Sequence, residues 1–105
     1  MTVEDRVRVS FQRQTVMQTL GMILVEVKEG ECIIGFDYAE KLTQQHGFIH
    51  AGVIATALDS ACGYAAYSMM PEGAAVLSIE FKTNLMRPAK GERFEARARV
   101  VKPGR

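Results

Sequence analysis

Residues 44–70 read QQHGFIHAGVIATALDSACGYAAYSMM, and their reading decides the fold. From Gly47 to Met70 the run holds one carboxylate, Asp59, and neither Lys nor Arg. At 100° per residue, Gly52 to Tyr67 makes a helix with two faces. Val53, Ile54, Ala57, Leu58, Ala61, Tyr64 and Ala65 form a broad apolar face. Gly52, Ala55, Asp59, Cys62, Gly63 and Ala66 form the other. A solvated face would carry Lys, Glu and Arg. A face of Gly and Ala lets a ligand or a second helix come close to the backbone. Because no side is strongly polar, the helix is expected to be buried, with a sheet wrapped around it.

The flanks supply that sheet. MILVEVKEGECIIGFDY reads as two strands turning at Glu29-Gly30, with Cys32, Ile34 and Phe36 sharing one side. AVLSIEFKTNLM alternates Leu77, Ile79 and Phe81 against Ser78, Glu80 and Lys82. ERFEARARVV alternates Phe94, Ala96, Ala98 and Val100 against Glu95, Arg97 and Arg99. Ahead of the first strand, TVEDRVRVSFQRQTVMQTLG reads as one amphipathic helix, with Val3, Val7 and Phe11 on a face, Thr2 as cap and Gly21 as stop. The class is α+β in one domain, residues 1–105.

Composition narrows the function. A net charge of +1 gives no bulk attraction to nucleic acid or anionic membrane. Residues 51–70 have the length of a membrane span, but Thr56, Asp59, Ser60 and Ser68 argue against one. MTVEDRVRVS lacks the apolar core of a secretory signal, and two isolated cysteines suit a reducing compartment, so a cytoplasmic location is expected. Two histidines with no second nearby acid make a poor zinc site, and no metal or cofactor is expected.

Asp59 has two readings. It is a structural acid satisfied by partners, or a working carboxylate. The loop QQHGFIHAG, with an amide, two histidines and the free N–H groups of a helix start, favours work. Asp59 follows Ala51 by eight residues, so the two backbones stand roughly 12 Å apart along one helix. One helix cannot bring both to the same carbonyl, whereas two copies side by side could.

These residues carry a resemblance. QxxGFIHAGVIATALD, LSIEF and MRPAKG resemble the PaaI-like branch of the hotdog-fold acyl-CoA thioesterases, from about Gly21 onward. The resemblance implies a curved antiparallel sheet around a long central helix, a homodimer or dimer of dimers, and sites between subunits. It implies Asp59 as general base or nucleophile and the Ala51 N–H as carbonyl donor. Gln44 stands where many members have Asn, His50 matches the motif histidine, and Ser78 matches a residue that orients water in some members. Gly47 and Gly52 are assigned to substrate binding, with Arg87 and Lys90 suiting the phosphates of coenzyme A, which is part of the substrate. Arg87 and Lys90 suit solvated positions equally, as do Arg97 and Arg99. His46 is read as a loop residue and Cys62 as packing.

Three departures stand out: Gln44 for Asn, Ala51 for the first motif Gly, and an ending after VVKPGR where similar proteins continue with another strand pair. The sheet is therefore expected to lack its last strands, leaving residues 92–101 with an unpaired edge. The leading function is acyl-CoA hydrolysis. The alternatives are a non-catalytic acyl-CoA-binding module, against which Asp59 argues, a hotdog hydratase, which would place a His after the Asp, and a structural fragment, favoured only by the early ending.

Overall fold

The computed structural model describes residues 1–71, 79–83 and 91–103. Helices α1 (Val3–Arg13) and α2 (Thr15–Thr19) lead into strands β1 (Ile23–Lys28) and β2 (Glu31–Asp37). A short 3₁₀ turn (Glu40–Leu42) and a loop precede the central helix α3 (Ala51–Tyr67). Strands β3 (Ile79–Thr83) and β4 (Arg93–Pro103) follow. The four strands form one antiparallel sheet in the order β1-β2-β4-β3, and α3 packs mainly on β2 and β4.

The expected single N-terminal helix is two. Gln14 takes an extended conformation, φ −83° and ψ 95°, ending α1 and starting α2. Thr2 and Asp5 make a reciprocal capping box at the start of α1, and that hydrogen bonding holds the Asp5 carboxyl below its ordinary range. Gly21 follows α2 at φ +70°, a left-handed conformation suited to glycine.

The strand alternation holds in β2 and β4, while the side chains of Leu77 to Lys82 lie outside the described residues. Cys32, Ile34, Ala96 and Ala98 are buried together with Phe36, which stacks on its cross-strand partner Phe94 at 5.2 Å. β1 departs from strict alternation because a bulge lies between Leu24 and Glu26. It turns both Val25 and Glu26 outward, so that Leu24 and Val27 can both point inward. The expected unpaired edge on β4 is corrected: β4 pairs with β2 on one side and β3 on the other.

α3 is buried on one side only. Ala57, Ser60, Ala61, Cys62, Tyr64 and Ala65 are buried, whereas Ala51, Gly52, Ala55, Asp59 and Gly63 are exposed. Cys62, assigned above to the small-residue face, belongs to the core beside Cys32. Burial, with Cys62 nearby, pushes the Cys32 thiol up to about 12. At the far end of α3, the Ser68 hydroxyl donates to the Ala65 carbonyl at 2.7 Å and accepts from the Gly30 N–H at 2.8 Å. That buried pair ties the helix end to the β1–β2 turn.

Candidate active site

The loop before α3 is built by Gln44. Its backbone N–H donates to the Phe48 carbonyl at 2.8 Å, and its carbonyl accepts from the Gly47 N–H at 3.0 Å. Its side-chain oxygen accepts from the N–H groups of His46 at 2.6 Å and Phe48 at 3.3 Å. Gly47 closes the turn at φ +85°, where L side chains are strained. The Gln44 oxygen is thus committed to the loop, which leaves the amide Nε2 to donate outward. His46 is exposed and contributes its backbone to this turn.

His50 is the N-cap of α3. Its Nδ1 accepts from the Gly52 N–H at 2.8 Å. A Cβ on Gly52 would meet Nδ1 at 3.0 Å, so glycine there lets the imidazole close over the first turn. Since Nδ1 accepts, the neutral ring carries its hydrogen on Nε2. An imidazole in that state has no lone pair left for proton abstraction. The His50 carbonyl accepts from Val53 and Ile54, whereas the Ala51 N–H meets no acceptor among the described residues. Gln44, Gly47, His50, Ala51 and Gly52 therefore sit together at the start of α3, with one helix N–H open at its positive end.

Asp59 stands elsewhere. It is exposed, and it takes part in no hydrogen bond or ion pair with a described residue. The expectation that the whole helix is buried is not met at Asp59 within one chain, because that side of α3 faces outward. Asp59 lines a groove of about 240 Å³ with Ser10, Gln14, Ser60, Gly63, Tyr64 and Tyr67. None of the loop residues reaches it. One chain thus holds the carboxylate and the carbonyl donors in separate places. Ser78, Arg87 and Lys90 lie outside the described residues.

Sequence reasoning missed the N-terminal side of the groove. Gln14 Nε2 donates to the Tyr64 hydroxyl at 2.7 Å, and Ser10 Oγ lies 3.1 Å from the same oxygen. The rings of Phe11 and Tyr67 flank Tyr64, and the Arg6 guanidinium lies 4.9 Å from the Tyr67 ring centre. The available signal was Tyr64 itself, since a buried tyrosine hydroxyl needs a partner. Among the described residues there is no cluster of three or more metal-binding side chains, and no helix is long and apolar enough to cross a membrane.

Comparison with known proteins agrees with this architecture. Residues 46–105 match the thioesterase superfamily. A solved thioesterase family protein from Silicibacter pomeroyi is 56% identical, with a TM-score of 0.84 over 98% of this chain and 76% of that one. The E. coli PaaI protein from the phenylacetic acid degradation operon shares the fold at 21% identity, with a TM-score of 0.75 over 94% of this chain and 70% of that one. A Halobacterium salinarum protein named as a candidate esterase is 36% identical over 90 residues, which make up 81% of this chain and 59% of that protein. The chain spans about three-fifths of the length of three of the curated relatives it matches. The superfamily match, the 56% identity to a solved thioesterase family protein and the helix on its antiparallel sheet agree: the chain belongs to the thioesterase superfamily, with the hotdog fold that it shares with the PaaI structure.

Proposed function

We propose that this protein hydrolyses an acyl-CoA thioester to the free acid and coenzyme A, with Asp59 as the working carboxylate. One observation carries the reading. Asp59 is an exposed acid with no partner among the described residues, set in a groove wall on a helix whose start offers an open N–H. An acid that holds the fold together would be hydrogen-bonded or paired, and the exposed small residues Gly52, Ala55 and Gly63 around Asp59 set it apart from an ordinary charged surface.

The roughly 12 Å along α3 keeps Asp59 from the carbonyl donors of its own chain. Two copies, packed through Gly52, Ala55, Asp59 and Gly63, bring the acid of one to the helix start of the other. The exposure of those small residues supports this homodimer, from which a dimer of dimers can be built. In the composite site, the Ala51 N–H and Gln44 Nε2 hold the thioester oxygen. Asp59 takes a proton from water as that water attacks the carbonyl carbon. The tetrahedral oxyanion rests on the two donors. As it collapses, the C–S bond breaks and the thiolate leaves with the proton returned by Asp59. In the nucleophilic variant, an Asp59 oxygen attacks the carbon, the thiolate leaves, and water hydrolyses the anhydride. Ser78 orients the water, Gly47 and Gly52 let the substrate approach the backbone, and Arg87 and Lys90 meet the coenzyme A phosphates. No cofactor takes part. Two buried free thiols suit work in the reducing cytoplasm.

The deciding experiment is Asp59→Asn, assayed on a panel of acyl-CoAs with a thiol reagent. Hydrolysis should fall by at least about 10²-fold, the lower range for loss of a positioned acid–base group, while sedimentation shows the same homodimer. Single turnover in ¹⁸O-water separates the routes: label in the Asp59 carboxylate marks the nucleophile, and label only in the product acid marks the base. Parent-level turnover in Asp59→Asn, or a folded active monomer, would remove this reading.

A further inference from the structure

The groove beside Asp59 has a polar end whose hydrogen bonding does not close on itself. The Tyr64 hydroxyl and the Ser10 hydroxyl each carry one hydrogen, and the Gln14 amide carries two. Only two hydrogen bonds link the three groups, Gln14 to Tyr64 and Ser10 with Tyr64. Each bond uses one hydrogen. Two hydrogens are left over whichever hydroxyl donates and whichever way the amide is turned. Among the described residues nothing accepts them. Tyr64 is buried, and Ser10 and Gln14 are half-buried, so these spare donors are partly shielded from bulk water.

The rest of the groove limits what can accept them. About 240 Å³ exceeds the 150 Å³ that accommodates benzene, so the groove takes a ring or a short chain. Tyr67 and Tyr64 give it apolar ring surface. Asp59 in the same wall repels a second carboxylate.

We infer that Ser10, Gln14 and Tyr64 are specificity-determining residues, and that they select a short acyl group whose far end carries a neutral oxygen acceptor, a hydroxyl or a ketone. The inference rests on the proposed site in one respect, that the thioester lies at Asp59, which places the acyl group in the groove beside it. It places two of the three, Ser10 in α1 and Gln14 at the α1–α2 break, outside the residues 46–105 that match the superfamily, and the third, Tyr64, on α3 within them. Ser10 and Gln14 are four residues apart, and both side chains reach the Tyr64 hydroxyl.

The test compares hexanoyl-CoA with its ω-hydroxy analogue. The parent protein should favour the hydroxylated substrate about tenfold in kcat/KM, the discrimination expected of a neutral hydrogen bond in a half-open site. Tyr64→Phe and, separately, Gln14→Met should bring the ratio near one. Gln14→Met leaves the buried ring in place and keeps the test alive if Tyr64→Phe folds poorly. The same pair as non-hydrolysable thioethers, measured by calorimetry, reads binding alone. Equal kcat/KM and equal affinity for the pair in the parent protein would overturn the inference, as would a ratio unmoved in both variants. A binding preference that these variants erase, found without hydrolysis, supports it and removes the thioesterase reading instead.

Discussion

His50→Ala separates a capping histidine from a chemical one. In the parent protein, Nδ1 holds the Gly52 N–H at 2.8 Å. The Ala51 N–H has no acceptor among the described residues. Removing the imidazole leaves two adjacent donors without partners in the first turn. Loss of an N-cap costs about 0.5–2 kcal/mol. His50 is exposed, so water replaces part of the bond, and about 0.5–1 kcal/mol is expected. For a chain of 105 residues this lowers the melting temperature by about 2–5 °C at fixed protein concentration. Activity should fall as well, by about tenfold. In the proposed site the cap holds the turn that presents the Ala51 N–H, and loss of an entire oxyanion donor costs about 10²–10³. His50→Asn supplies a side-chain oxygen that can accept the same N–H. It should restore both the melting temperature and most of kcat on acyl-CoA. Thermal melts and steady-state kinetics on the three proteins provide the readout. The reasoning is refuted if Asn restores the melting temperature but leaves kcat as low as Ala does. His50 would then move protons, and the committed Nδ1 lone pair would be the wrong description of its role.

Three further outcomes follow from the described geometry. Ser68→Ala strands the buried Gly30 N–H and should destabilise the fold by about 1–3 kcal/mol, seen as a shifted denaturation midpoint at unchanged slope; an unshifted midpoint would mean that water reaches the turn. Gln44→Ala should lose turnover and also loosen the 44–48 loop, which hydrogen exchange at His46 and Phe48 would detect; unchanged exchange would deny the side-chain oxygen its loop role. Cys32 sets an alkaline limit. Its folded pKa of about 12 stands above the ordinary 9.0, so the unfolded chain loses the proton first. Stability from this thiol is intact below pH 9 and declines as pH rises from 9 towards 12. Cys32→Ala should flatten that decline, and an identical alkaline profile would show that other groups cause it.

Much of the fold was legible because local sequence carries its own geometric period. Alternation in β2 and β4 gave the buried sides directly, and Thr2 and Gly21 marked helix ends through chemistry that acts within a few residues. The Gln14 break was not legible. The apolar period runs through it, and its side chain is held by Tyr64, which is 50 residues away in the chain. The bulge in β1 was hidden for a related reason, since register depends on the partner strand.

The sequence alone determined that α3 has an apolar face and a small-residue face, that Asp59 interrupts the latter, and that a glycine-bearing loop with His50 starts the helix. These are properties of spacing along one chain, and a helix converts spacing into position without help. Only the tertiary structure decided which groups meet. It turned Cys62 into the core, left Asp59 exposed, gave the His50 lone pair to Gly52 and the Gln44 oxygen to its own loop, and brought Ser10 and Gln14 onto Tyr64. A hydrogen bond needs its partners within about 3 Å. For residues about 50 positions apart, that proximity comes from seating α1 and the Gln14 break against α3, and no local pattern encodes it.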